Sequence, residues 1–189
     1  MSNPIPVKIV ISGGFAVGKT TFVGSLSDIE PLTTEASMTK ASEAVDDLGD
    51  ATSKKGTTVA MDFGRVALGP DLMLYLFGTP GQDRFHFMWD ELVRGAVGAI
   101  VLVDTNRLDA CFPAVDYMER AGVPFIVAIN AFDGVLAHHP DDVRMALDLP
   151  DDIPLVVTDA RHRAAVKDTV ISLVRHAMAL AAAKAAARV

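Results

Sequence analysis

Cysteine is nearly missing from this 189-residue chain: Cys111 is the single one, so no disulfide framework can form and the composition fits a reducing compartment. Positive charge is also in deficit. Seventeen Lys and Arg face twenty-four Asp and Glu, for a net charge of -7, which argues against a general affinity for nucleic-acid phosphates or anionic lipid and confines any phosphate binding to a local site. No apolar run approaches the ~20 residues that span a bilayer, and Met1 to Pro6 lacks the pattern of a secretory signal. The expected location is the cytoplasm. Ser2 stands where myristoylation needs glycine and no C-terminal cysteine is present for prenylation, so no direct membrane anchor is expected and recruitment to a membrane falls to a partner. His86, His138, His139, His162 and His176 lack the ligand spacing of a zinc site.

What is present is apolar residues, half of the chain, enough for one core and one domain over 1–189. Short β-branched runs bounded by Gly, Pro or Asp recur at Val7 to Ser12, Leu72 to Phe77, Val97 to Val103, Val123 to Asn130 and Leu155 to Val157, each reading as a buried strand. Helix-like segments lie between most of them, at Lys19 to Leu26, Asp83 to Arg94, Leu108 to Ala121 and Asp141 to Leu147. The alternation predicts an α/β fold with a six-stranded, mostly parallel sheet and helices on both faces. Thr58 to Leu68 and the strand from Leu72 flank Gly69-Pro70-Asp71 and read as a hairpin, which supplies one antiparallel edge strand. A last helix from about His162 sets Val166, Val170, Leu173, Val174 and Ala177 on one face. Residues 30–57 are polar and read as a long mobile switch loop, and 181–189 as a frayed alanine-rich tail.

Directly after the first strand, Gly13-Gly14-Phe15-Ala16-Val17-Gly18-Lys19-Thr20 matches the P-loop pattern in its strand-to-helix setting. The spacing has a physical reason. Successive backbone N–H groups curl around a β-phosphate, the helix adds its positive end, and glycine permits close approach. Lys19 is placed to bridge β- and γ-phosphates, Thr20 to bind magnesium, and the Thr21 N–H to reach the α-phosphate.

The base is read from Asn130-Ala131-Phe132-Asp133, which resembles the Asn-Lys-x-Asp guanine motif with alanine in place of lysine. A carboxylate at Asp133 accepts bonds from N1–H and the 2-amino group of guanine, a donor pair that adenine lacks. Thr158-Asp159-Ala160-Arg161 follows the sixth strand where GTPases carry a Ser-Ala-Lys-like segment, so the Ala160 N–H is expected to meet the guanine oxygen.

The third strand runs into Gly78-Thr79-Pro80-Gly81-Gln82. This resembles the bacterial gliding-motility (MglA-like) GTPases and, in its full form, the actinobacterial conservon GTPases encoded beside roadblock-type and sensor-kinase-like proteins. The resemblance spans nearly the whole chain and implies a Ras-like G domain using GTP/GDP and Mg2+, with such proteins as regulators or effectors and a homodimer among the possible assemblies. It implies that the Gly81 N–H senses the γ-phosphate, that Gln82 orients the attacking water, and that Thr58 closes on magnesium with Thr20. Three positions depart from the pattern. Gly78 brings no carboxylate to the magnesium side, leaving Asp62 as a nearby acid; Thr57 stands where the gliding-motility proteins carry an arginine; Phe15 replaces a glycine near the γ-phosphate. A slow GTPase switch is therefore expected, the alternative being a catalytically impaired guanine-nucleotide scaffold. A small-molecule kinase would need a lid and an acceptor pocket that the sequence does not display. Phe85, Phe87, Met88 and Trp89 are either core or an effector surface, and Cys111 reads as a small buried hydrophobe.

Overall fold

The computed structural model describes residues 3–37, 58–81 and 87–187. Its centre is a seven-stranded sheet in the order β2-β3-β4-β1-β5-β6-β7, formed by β1 (Ile5–Gly13), β2 (Leu32–Ser37), β3 (Thr58–Ala67), β4 (Leu72–Gly78), β5 (Gly98–Val103), β6 (Phe125–Asn130) and β7 (Leu155–Thr158). The helices are α1 (Lys19–Leu26), α2 (Trp89–Val93), α3 (Phe112–Ala121), α4 (Pro140–Ala146) and α5 (Arg163–Ala186). Strands β4, β1, β5, β6 and β7 are parallel.

The central strands are buried along both faces, as their unbroken apolar runs require. Ile9, Ile11, Leu76, Ile100 and Ile126 point to one side, where Phe22 and Val23 of α1 and Leu173 of α5 complete a core. Val10, Val101, Val127 and Ile129 point to the other, against Trp89, Met118 and Val143 from α2, α3 and α4. The period of two along each strand thus assigns alternate side chains to two separate cores.

The six expected strands form, and β3 pairs antiparallel with β4 across the Gly69-Pro70-Asp71 turn. One segment differs. Leu32–Ser37, inside the stretch read as a mobile loop, is a seventh strand paired antiparallel with β3 from Leu32 opposite Phe63 to Ser37 opposite Thr58. The antiparallel strand β3 is therefore not the edge. The order of β2 comes from hydrogen bonding to the open side of β3, a non-local cause that leaves no apolar period to read. Residues 38–57 lie outside the described residues.

The alanine-rich tail also differs from expectation, since α5 continues to Ala186 with the Ala187 N–H still bonded to the Ala183 carbonyl. Alanine's helix propensity extends a helix already nucleated on the core. At 24 residues α5 is long and apolar enough to cross a membrane. Its Val166, Thr169, Val170, Leu173 and Ala177 are instead buried in this fold, while 181–187 project as an exposed extension.

The parallel strands end together, so Gly13, Gly78, Asn130 and Thr158 share one rim of the sheet, the crevice side on which open α/β sheets bind ligands. Because Leu173 is fully buried against the sheet, Leu173→Ala is expected to lower unfolding free energy in urea by about 2–5 kcal/mol. Met178→Ala, on the exposed part of the same helix, should stay within about 0.5 kcal/mol of the parent.

Candidate functional site

The chain leaves β1 through Gly13, at φ 134°, and enters α1 through Gly18, at φ 103°. Side chains are excluded at both for a second reason: a Cβ on Gly13 would lie 2.5 Å from the Leu102 carbonyl oxygen, and one on Gly18 2.6 Å from Asn130 Nδ2. The loop between them is therefore pressed against β5 and β6, with Val17 buried beneath and Phe15 exposed above. Gly14 packs against Ala110, Ala16 adopts a left-handed φ of 61°, and Thr21 follows Thr20 in the first turn of α1. A cleft of 380 Å³ opens over this loop, lined by Lys19, Thr20, Thr21, Asp62, Thr79 and Gly81 among others.

Lys19 is folded back over the loop, its Nζ donating to the carbonyls of Gly13 at 2.9 Å and Gly14 at 2.6 Å. Burial pushes its ammonium down to about 8, with the Asp62 carboxylate pulling the other way. The cation is thus pre-placed and poorly hydrated, and an incoming diphosphate would supply the counter-charge it lacks. Gly81 reaches the same mouth: a Cβ there would lie 2.8 Å from Lys19 Nζ and 2.9 Å from the Phe15 Cα. Thr79 is buried beneath it and donates its hydroxyl proton to Ser12 Oγ at 3.2 Å. Gln82 and Phe85 lie outside the described residues. Thr58 opens β3 opposite Ser37; four residues at ~3.3 Å each set its backbone about 13 Å along the strand from Asp62, and its side chain is likewise outside the described residues.

Thr20 meets Asp62, expected only as a nearby acid. Its hydroxyl donates to Asp62 Oδ2 at 2.8 Å, and Asp62 is buried. A hairpin folded about Pro70 puts residue 62 across from residue 78, so the signal was available in the turn.

At the other end of the rim, Asn130 is a brace. Its Nδ2 donates to the Val17 carbonyl at 2.9 Å and its Oδ1 accepts the Ala160 N–H at 3.0 Å, joining the P-loop to the segment after β7. Ala160 is 1% exposed, and its amide is held by Asn130. That amide is the one expected to meet the guanine oxygen, and in this structure its partner is Asn130. Asp133 stands on a short turn at Phe132–Gly134 with a left-handed φ of 56° and an exposed carboxylate. Arg161 Nη1 donates to Asp133 Oδ1 at 2.7 Å, while its Nη2 and Nε donate to Asp159 Oδ2 at 2.6 Å and Oδ1 at 3.0 Å. The Arg161 bonds hold the Asp159 carboxyl well below the usual carboxylate range, and Asp159 followed by Asp133 raises the Arg161 guanidinium further. Asp159 and Arg161, expected among the nucleotide contacts, are here bonded to each other and, through Arg161, to Asp133. Ala131, buried, carries no lysine stem; Arg161 brings a cation to Asp133 from the neighbouring loop. Sequence spacing misses this pairing because the two residues meet only through the β6–β7 register.

Two other residues have structural roles. Cys111 is buried with its thiol donating to the Leu108 carbonyl, and burial pushes that thiol up to about 12. His139 Nδ1 accepts the Asp141 N–H at the start of α4.

The Lys19 value carries a pH prediction. Diphosphate binding requires the ammonium form and raises its pKa, so affinity is level between the terminal phosphate's own titration at pH ~6 and pH 8, and declines as the pH rises through 8. The limiting slope is about tenfold per pH unit until the bound-state pKa is reached. Calorimetric titration with a nucleoside diphosphate across this range checks the break; a flat profile to pH 9.5, about a unit and a half higher, would contradict it.

Residues 11–180 match the family model described as "Conserved hypothetical ATP binding protein". Over 129 residues the chain is 30% identical to the uncharacterized protein MJ1339 of Methanocaldococcus jannaschii, covering 67% of this chain and 71% of that protein. Among solved structures it is similar to the cytosolic domain of the T. maritima FeoB iron transporter in GDP form I, with a TM-score of 0.64, 16% identity, and 93% of this chain against 65% of that one covered. The apo form of the same domain gives 0.63, 18%, 92% and 64%. The chain spans just under two thirds of those structures, and at such identity the likeness is one of fold. With its P-loop seated at the rim of a G-domain-like sheet and 11–180 matched by the model, the chain belongs to the family of conserved hypothetical ATP binding proteins and is a P-loop nucleotide-binding protein.

Proposed function

We propose that this protein is a GTP-binding molecular switch with slow intrinsic GTP hydrolysis, acting through protein partners that distinguish its nucleotide states. The observation that carries the base choice is Asp133. Its carboxylate is exposed on a fixed turn, and the Asn130 brace joins the P-loop to the loop that bears Arg161. An ionised carboxylate has about four acceptor sites, so Arg161 can hold one side while the other accepts the two donors of guanine. The family description names ATP, but adenine offers Asp133 no such pair.

The phosphate end supports hydrolysis. Lys19 and the Gly81 backbone converge where a γ-phosphate would sit, and Gln82 follows directly as the group to orient water. Thr20 lines the cleft beside Lys19, and its hydroxyl oxygen is a hard donor that fits magnesium, with Thr58 as the second hydroxyl of the switch segment. A bound magnesium ion would supply charge neutralisation between the β- and γ-phosphates. Thr57 and Phe15 stand where faster relatives of the resembled kind carry arginine and glycine, which favours slow turnover. The Gly-Thr-Pro-Gly-Gln segment favours an MglA-like or conservon-type GTPase in the cytoplasm, with roadblock-type or sensor-kinase-like partners that bring it to a membrane. Phe87, 59% exposed beside α2, is an aromatic available to such a partner; Trp89 is committed to the core, edge-on to Tyr117 with centroids 5.1 Å apart.

The second reading, a guanine-nucleotide scaffold without catalysis, is favoured by Gly78 and Ala131. Phosphate release in single turnover separates the two: the switch reading expects slow release that falls in Gln82→Leu, the scaffold none in either. Base choice is tested by exchanging the acceptor. Asp133→Asn should lose roughly 10- to 150-fold in GDP affinity and gain affinity for xanthosine diphosphate, whose ring offers a carbonyl where guanine has an amine. Unchanged GDP binding in that variant would remove Asp133 from the base site.

A further inference from the structure

We propose that Asp62, on β3, is the protein carboxylate that holds the divalent cation of the bound nucleotide, and that Gly78 is glycine to make room for it. This deepens the nucleotide reading above and rests on it.

Asp62 sits one position beyond the Phe63–Phe77 pair of the β3–β4 ladder, beside Gly78. A Cβ added at Gly78 would lie 3.0 Å from the Asp62 Cβ and 3.0 Å from its Oδ2. Backbone freedom does not explain the glycine, because Gly78 has no positive φ. What residue 78 lacks is volume, and the Asp62 side chain occupies that volume. The carboxylate is consequently swung over the strand end into the cleft, where Oδ2 accepts the Thr20 hydroxyl proton and Lys19, Thr79 and Gly81 are its neighbours along the wall.

The electrostatics of that position point to a cation. Asp62 is 8% exposed and forms no ion pair among the described residues; the ammonium facing it from α1, Lys19, is committed to the Gly13 and Gly14 carbonyls. A diphosphate entering the same cleft would meet a buried like charge, a strongly unfavourable arrangement unless a positive ion lies between them. Thr20 is already oriented for this. With its proton given to Asp62, the lone pairs of its oxygen remain for a metal, and hydroxyl plus carboxylate is a hard oxygen set suited to magnesium. Gly78 and Asp62 therefore form one device, in which the acid is carried by the antiparallel strand and the parallel strand is cut back to admit it.

The test separates metal holding from mere support of Thr20. Affinity for a fluorescent GDP analogue is measured in excess magnesium and in EDTA for the parent, Asp62→Ala, and the relocation pair Asp62→Ala with Gly78→Asp. In the parent, magnesium should strengthen binding. Asp62→Ala should lose about 10- to 100-fold of that gain while binding in EDTA at least as tightly as the parent, because a charge facing the phosphates is gone. The relocation pair should recover the magnesium dependence, and the spectrum of bound Mn2+ should broaden and recover in parallel. Equal weakening of Asp62→Ala with and without magnesium, in protein shown folded by its thermal transition, would overturn the proposal. A parent that takes up no guanine nucleotide in either buffer defeats the nucleotide reading itself, whereas a parent that binds with the same magnesium ratio as Asp62→Ala defeats only the assignment of Asp62.

Discussion

The pair of hydrogen bonds made by the Asn130 amide fixes the spacing on which the site depends. One end holds the Val17 carbonyl and the other the Ala160 N–H, so two loops on opposite sides of β6 are tied to one buried side chain. Phosphate and purine are joined by a ribose of fixed reach. The P-loop and the turn bearing Asp133 can therefore act on one molecule only if their separation is constant, and Asn130 is the group that makes it so. Burial strengthens the tie, since either bond broken would leave a desolvated polar group unsatisfied.

Around that brace the protein distributes charge sparingly. It carries a net -7 yet must accept a polyanion, and it does so by keeping Lys19 partly desolvated over the cradle and by giving each acid near the cleft a defined partner. Asp159 is committed to Arg161, Arg161 is shared with Asp133, and Asp62 is bonded to Thr20. On the proposed switch reading, the closeness of Gly81 to Lys19 and Phe15 would let a group at the γ-position act directly on the Gly81 backbone.

Much of this is legible in the chain. The apolar runs of β1, β5 and β6 read as strands because parallel strands are buried on both sides, and the P-loop is legible because its glycines, lysine and threonine lie within eight consecutive positions. What escapes a linear reading is set by neighbours distant in sequence. β2 is a strand because β3 offers it an open side, α5 persists through its alanines because it is already anchored at Val170 and Leu173, and Ala160 turns its amide to Asn130 because the β6–β7 register brings them together. The Arg161–Asp133 contact has the same origin. Gly78 is the instructive case: as a lone position it reads as a missing carboxylate, and the hairpin register sets Asp62 of the opposite strand beside it.

On the proposed function, one braced P-loop and one acid on a turn together select a guanine nucleotide. The most direct test is calorimetric titration of the folded protein with GDP and with ADP in magnesium. GDP should bind with a well-defined heat and ADP far more weakly; ADP binding as tight as GDP, or uptake of neither, would contradict the account.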